Sequence, residues 1–267
     1  MSFRDLDLRG SYSDTDDRLN GFFVPVLTEA VTYDRVTGYF RSSALCSVAR
    51  GLSHLIANGG TMRLIAGADL SDADIQAIEK GTPLDEVLAR TLLSDPLEGA
   101  TVIEQHRLET LAWLVRESRL EIRIGVPTDH LGRPLRRDQS NRYFHSKYGV
   151  LSDQDGNRIA FLGSNNESDS GVTQNHETFS VYPSWKEEVW AWNGQPVVDQ
   201  FTAHWDGHPG RGWQVVGLPE AVRDHLVARI KETAGPPPAV AAGTSTTPST
   251  RITTGAVVGP DSEPGAS

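Results

Sequence analysis

The chain has 267 residues, 38% of them hydrophobic and 22% charged, a balance that supports a packed core and excludes a wholly disordered polymer. Its formal net charge of −10 excludes broad, sequence-independent attraction to nucleic acid over the whole surface. A single cysteine excludes an internal disulfide and a cysteine-based metal site, and no run approaches the roughly 18 apolar residues of a membrane span.

Residues 1–13 read as a loose lead-in without the apolar core of a signal peptide, so a cytoplasmic location is expected. Asp14, Asp16 and Asp17 supply cap and first-turn acids for a helix running to about Val31, with Pro25 kinking or splitting it. Tyr33–Phe40 is β-branched and aromatic enough for a strand. Ser42 and Ser43 cap a helix through about Ala57, stopped by Asn58-Gly-Gly60, and Thr61–Gly67 is the next strand. This β-α-β opening implies a parallel sheet.

Three helices follow, Ser71 to about Lys80, Pro83 to about Leu93 and Thr101 to about Ser118. Ser71 and Asp74 fit a capping box, and Leu108, Leu111, Ala112 and Val115 form one apolar stripe. Leu120–Val126 alternates as a strand and ends at Pro127. A loop over 128–141 and the strand after it carry Arg133, Arg136, Arg137, Arg142 and Lys147, a local basic patch on an acidic body. Beyond Val181 a helical region starts at Ser184 and is broken near Gly194 and Pro196; another ends at Trp205. Trp213–Val216 is a short extended segment, and Pro219 to about Glu232 a last amphipathic helix. The expected organisation is one α/β domain over 1–233, a mixed sheet with helices on both faces and a helical C-terminal extension. A Pro/Gly/Ser/Thr-rich disordered tail or linker is expected over 234–267.

The chemistry concentrates in three successive strand-like segments. In Tyr143–Leu151, His145 and Lys147 are two apart and share a strand face, about 7 Å apart along the backbone. Like charges on one face add little stability, but an imidazole beside an ammonium suits a phosphate. Arg158–Asn166 is an apolar strand ending in Gly163-Ser164-Asn165-Asn166, a turn whose amides can face an anion. Asn175–Tyr182 is led by Glu177. Alternation sends His176 to the face opposite Glu177. Helix capping accounts for Asp69, Asp72 and Asp74, and packing for most of the tryptophans. His204 and His208 have near-metal spacing, but Gly207 and Pro209 favour a loop.

In order, His145-x-Lys147, Gly163-Ser164-x-Asn166 and Asn175-x-Glu177 resemble the phospholipase D superfamily. The family aspartate would fall at Ser152; here the acid comes one later, at Asp153. Val36–Ala44 and Met62–Gly67 are similar to the opening of phospholipase D-like domains found ahead of DEAD/DEAH-type helicases, some of them in bacterial defence systems. The resemblance covers roughly residues 3–232. It implies a metal-independent phosphodiesterase without a cofactor, a nuclease acting on nucleic acid, DNA first. His145 would become a phosphohistidine, and Lys147 and Asn166 would hold nonbridging oxygens. Ser164, Gly163, Arg142 and Arg137 would contact substrate, and Glu177 would orient the imidazole or the lysine.

The superfamily builds one pocket from two H-x-K motifs, and none of the other seven histidines here has a lysine two residues on. A second copy of the chain would then complete the site as a homodimer. The alternative is a noncatalytic module that binds nucleic acid or a helicase partner. A lipid phosphodiesterase ranks last, since no basic amphipathic helix or anchor supports a membrane role.

Overall fold

The computed structural model describes residues 1–13, 15–95, 101–135, 147–163, 178–208 and 212–228. The expected tail, 234–267, lies outside the described residues.

Eight strands form one mixed sheet: β1 (Ser11–Tyr12), β2 (Ala30–Tyr39), β3 (Thr61–Gly67), β4 (Leu120–Pro127), β5 (Tyr148–Asp153), β6 (Arg158–Gly163), β7 (Phe179–Pro183) and β8 (Trp213–Gly217). Their spatial order is β1-β7-β6-β5-β2-β3-β4-β8. β2, β3 and β4 run parallel, as the β-α-β pattern implies, and every other neighbouring pair is antiparallel. The direction reverses between β2 and β5. The carboxyl ends of β2, β3, β4 and β6 and the start of β5 therefore share one edge.

Helices cover both faces. The larger core packs α1 (Val24–Glu29), α2 (Ser42–Val48), α3 (Leu52–Ala57), α4 (Asp72–Glu79), α5 (Leu84–Leu93), α6 (Val102–Arg116) and α9 (Glu220–Val227) against Leu64, Ile122, Ile124, Leu151 and Phe161. On the opposite face, α8 (Gln195–Trp205) lays Val197, Phe201 and Trp205 on Val36, Ile65, Tyr148, Val150 and Ala160. The C-terminal segments thus serve both layers and add the edge strand β8.

Ser71 and Asp74 form the expected reciprocal box at α4; Thr101 and Glu104 form another at α6, whose expected stripe of Leu108, Leu111, Ala112 and Val115 is buried. Four readings need correction. Ser42 does not cap α2 but is its first residue, and its side chain bonds Asp95. Residues 1–13 are not loose: Phe3 and Tyr12 are buried, and Tyr12 stacks on Phe179 at 5.2 Å. The helix expected over Ser42–Ala57 is interrupted at Gly51, whose φ of 73° is a left-handed conformation that glycine takes without a Cβ penalty. Gly194 and Pro196 do not break their helix. A π turn over Trp190–Gly194 carries α7 (Glu187–Val189) into α8. The same device, Leu19–Phe23, precedes Pro25 in α1. In both places proline is the second residue after the wide turn, where a missing N–H disrupts no regular i to i−4 bond.

Candidate active site

Of the residues singled out for chemistry, Lys147 and Gly163 lie among the described residues; His145, Asn166, Glu177, Ser164, Arg142 and Arg137 lie outside them, as do Arg136 and His176. Lys147 sits at the sheet edge, one residue before β5. The N–H of Gly163 donates to its carbonyl at 3.1 Å, so the β5–β6 ladder continues for one pair beyond Tyr148 and Leu162. The sequence stretches that carry the imidazole and the G-S-x-N turn therefore depart from adjacent strand ends. Lys147 is 4% exposed. Its Cε lies 3.8 Å from where a Cβ on Gly38 would stand, so the end of β2 forms one wall around the side chain.

Gly163 has a packing reason of its own. A Cβ there would come 2.2 Å from the carbonyl oxygen of Thr178 and 2.5 Å from Cα of Phe179. The glycine lets β6 and β7 close together next to Lys147.

The same edge carries further charge. Arg41 pairs with Asp69 at 2.5 Å and lies over the ring of Tyr39. Arg133, counted in the basic patch, is held by Asp129 at 2.8 Å within its own turn, where Thr128 and Pro134 form an isolated bridge. The backbone N–H of Arg133 leads the hydrogen bonds that hold the Asp129 carboxyl below its ordinary value.

Asp153, the displaced acid, stands at the other end of β5 from Lys147. It is 4% exposed and accepts from Ser2 Oγ (3.0 Å), Phe3 N (2.9 Å), Asn157 N (2.8 Å) and Asn157 Nδ2 (2.9 Å). Burial disfavours its charged form, but the bonds from Asn157, Phe3 and Ser2 outweigh that and hold the carboxyl below its ordinary value. Its role is to tie the N-terminal turn and the β5–β6 hairpin to the sheet. Ser152 faces the α8 side and lines a cleft of about 310 Å³ with Thr32, Asp34, Arg63, Arg158 and Thr202.

Behind Lys147, Tyr148 Oη and His204 Nδ1 are 2.8 Å apart in the α8-side core. Burial raises the phenol and lowers the imidazole, which favours the neutral form of both. Cys46 is no nucleophile, because burial pushes its thiol up to about 11. Trp205 and Trp213 pack in the α8-side core as expected, whereas Trp192 is 83% exposed.

Sequence reasoning passed over Arg35. It is 3% exposed on β2, and its guanidinium lies 4.8 Å from the centroid of the Phe161 ring. The signal was a charged residue inside an apolar, β-branched run, and alternation alone does not tell which of two covered faces it enters.

No protein-family model matches the chain, and no curated protein matches it. Among solved structures it is similar to NucT from Helicobacter pylori, at 12% identity over 78% of this chain and 96% of that one, with a TM-score of 0.39. It is also similar to the phosphatidylserine synthase of Haemophilus influenzae Rd KW20, at 15% identity over 80% of this chain, with a TM-score of 0.37. The match spans 42% of that synthase. Neither likeness assigns an activity to this chain.

Proposed function

We propose that the protein is a phosphodiesterase of the phospholipase D type, a nuclease that needs no metal and acts as a homodimer. The observation that carries this reading is Lys147. An ammonium is buried at the edge where the sheet reverses direction, two residues after His145 and hydrogen-bonded through its backbone to the glycine of the G-S-x-N segment.

In the proposed reaction a nitrogen of the His145 imidazole attacks phosphorus. The N–P bond forms as the P–O ester bond breaks, and the leaving oxygen takes a proton from a second imidazole. Water then attacks the phosphohistidine, gives its proton to that second imidazole and regenerates His145. Lys147 and Asn166 hold the nonbridging oxygens, where negative charge gathers. Glu177 sets the tautomer or charge of a neighbouring group, and Ser164, Arg142 and Arg137 contact the backbone of the substrate. The second imidazole is His145 of a second copy, related by a twofold axis.

The test is cleavage of DNA in EDTA. Wild-type protein is expected to cut, and His145→Asn to lose at least about a thousandfold of that rate. Cleavage that persists in the variant, or that requires Mg²⁺, overturns the reading. The single H-x-K supports one alternative, a noncatalytic module that binds nucleic acid or a helicase partner; a strictly monomeric protein that binds DNA without cutting it would establish that instead.

A further inference from the structure

Arg35 is the least satisfied charge among the described residues. Its Nε and Nη1 are fully buried and have no hydrogen-bond partner. Its guanidinium lies over the Phe161 ring. The acid beside it in sequence cannot serve it: Asp34 points to the other face of β2 and binds Arg63 through both carboxylate oxygens, at 2.7 and 2.6 Å. A guanidinium is a cation with five N–H donors and no acceptor of its own. Burying a charge without a counter-charge is costly, and a folded protein keeps one where something else supplies the partner.

The surroundings fix where the guanidinium sits. Across β5, Arg35 is paired with Gly149, and Gly149 with Phe161 on β6. The Phe161 ring fills the space over Gly149, where a Cβ would lie 2.5 Å from it, and the same ring lies against the guanidinium. The next row on the same face, one step nearer the edge, is Lys147 with Gly163.

We propose that Arg35 is a phosphate-positioning residue: its guanidinium receives oxygens of a phosphodiester held at Lys147. A planar fork of N–H donors fits two oxygens of one phosphorus, which the point charge of a lysine does not. The choice of phosphate rests on the proposed activity; the need for an oxyanion rests on Arg35 alone.

The experiment is a calorimetric titration of inorganic phosphate into wild-type protein, Arg35→Met and Arg35→Lys at constant ionic strength, beside steady-state cleavage of DNA. Wild type is expected to bind phosphate, Arg35→Met to bind it roughly tenfold or more weakly, and Arg35→Lys to fall between them. Arg35→Met should melt no lower than wild type, because a partnerless charge has been replaced by a thioether of similar length. In cleavage, KM is expected to rise by the same factor while kcat changes less. Equal phosphate affinity in wild type and Arg35→Met, or no binding by wild type, overturns the proposal. Phosphate binding that depends on Arg35 in a protein that cuts no DNA leaves this anion site standing and removes the nuclease. Cleavage with unchanged KM in Arg35→Met does the reverse.

Discussion

Arg63 and Arg35 enter the sheet from neighbouring strands, β3 and β2, and leave it on opposite faces. Arg63 is supplied with everything a guanidinium uses. Asp34 accepts two of its donors, and the rings of Phe201 and Trp205 lie 5.0 and 5.1 Å away. Hydrogen bonding to Asp34 raises its pKa further. Arg35 has one ring and no acceptor. A shift of one residue along β2 decides which arginine receives the carboxylate, because successive side chains point to opposite faces. Composition and net charge cannot express this difference; the pleat does. The paired arginine reads as architecture; the other is the one proposed above to receive a phosphate.

Four substitutions sharpen that contrast. The largest effect belongs to Asp153, a buried charge as fully partnered as Arg35 is not. Asp153→Asn is expected to cost about 2–4 kcal/mol at neutral pH, measured by chemical denaturation. The folded-state pKa of Asp153 is depressed, so its contribution is complete above the ordinary value of 3.8 and is lost as pH falls through the lower folded value. The variant should therefore lose less further stability than wild type on acidification below about pH 4. An equal acid slope in both would break the assignment.

Next is Gly149→Ala, expected to destabilise by about 1–3 kcal/mol as the new methyl pushes Phe161 away from Arg35. An unchanged melt would mean that the ring is not held where it covers the glycine. The smallest effect concerns the arginines themselves. Arg63→Met should cost about 1–2 kcal/mol, since it removes an ion pair that is half open to solvent and two ring contacts. Arg35→Met should cost nothing or stabilise. Equal losses in the two variants would erase the comparison.

Much of the fold was legible because it rests on long periodic segments. β3 and β4 and the stripe of α6 announce themselves through apolar spacing, and the cap at Ser71 through short-range hydrogen bonding. The N-terminal elements were not legible. A three-residue turn at Phe3–Asp5 and a two-residue strand have no period to detect, and both depend on residues more than 150 positions away. The prolines misled for a related reason: a π turn absorbs them, and no local signal distinguishes it from a break. At the candidate site, the spacing of His145 and Lys147 suggested a shared face, and the structure places Lys147 at the sheet edge with Gly163 beside it. That Asp153 belongs to the opposite end of β5 was unreadable, because its partners Ser2 and Phe3 come from the far terminus of the chain.

The pairing of β1 with β7 also sets a timetable. Ser11 faces Ser180, so a ribosome adding roughly 5–20 residues per second leaves the first strand without its neighbour for on the order of ten to thirty seconds. Throughout that interval Tyr12 can reach Phe22 but lacks the Phe179 ring it finally stacks on, and Phe3 lacks the Asp153 carboxylate that holds its backbone. The nascent chain must carry Phe3 and Tyr12 through that interval before the sheet can close over them.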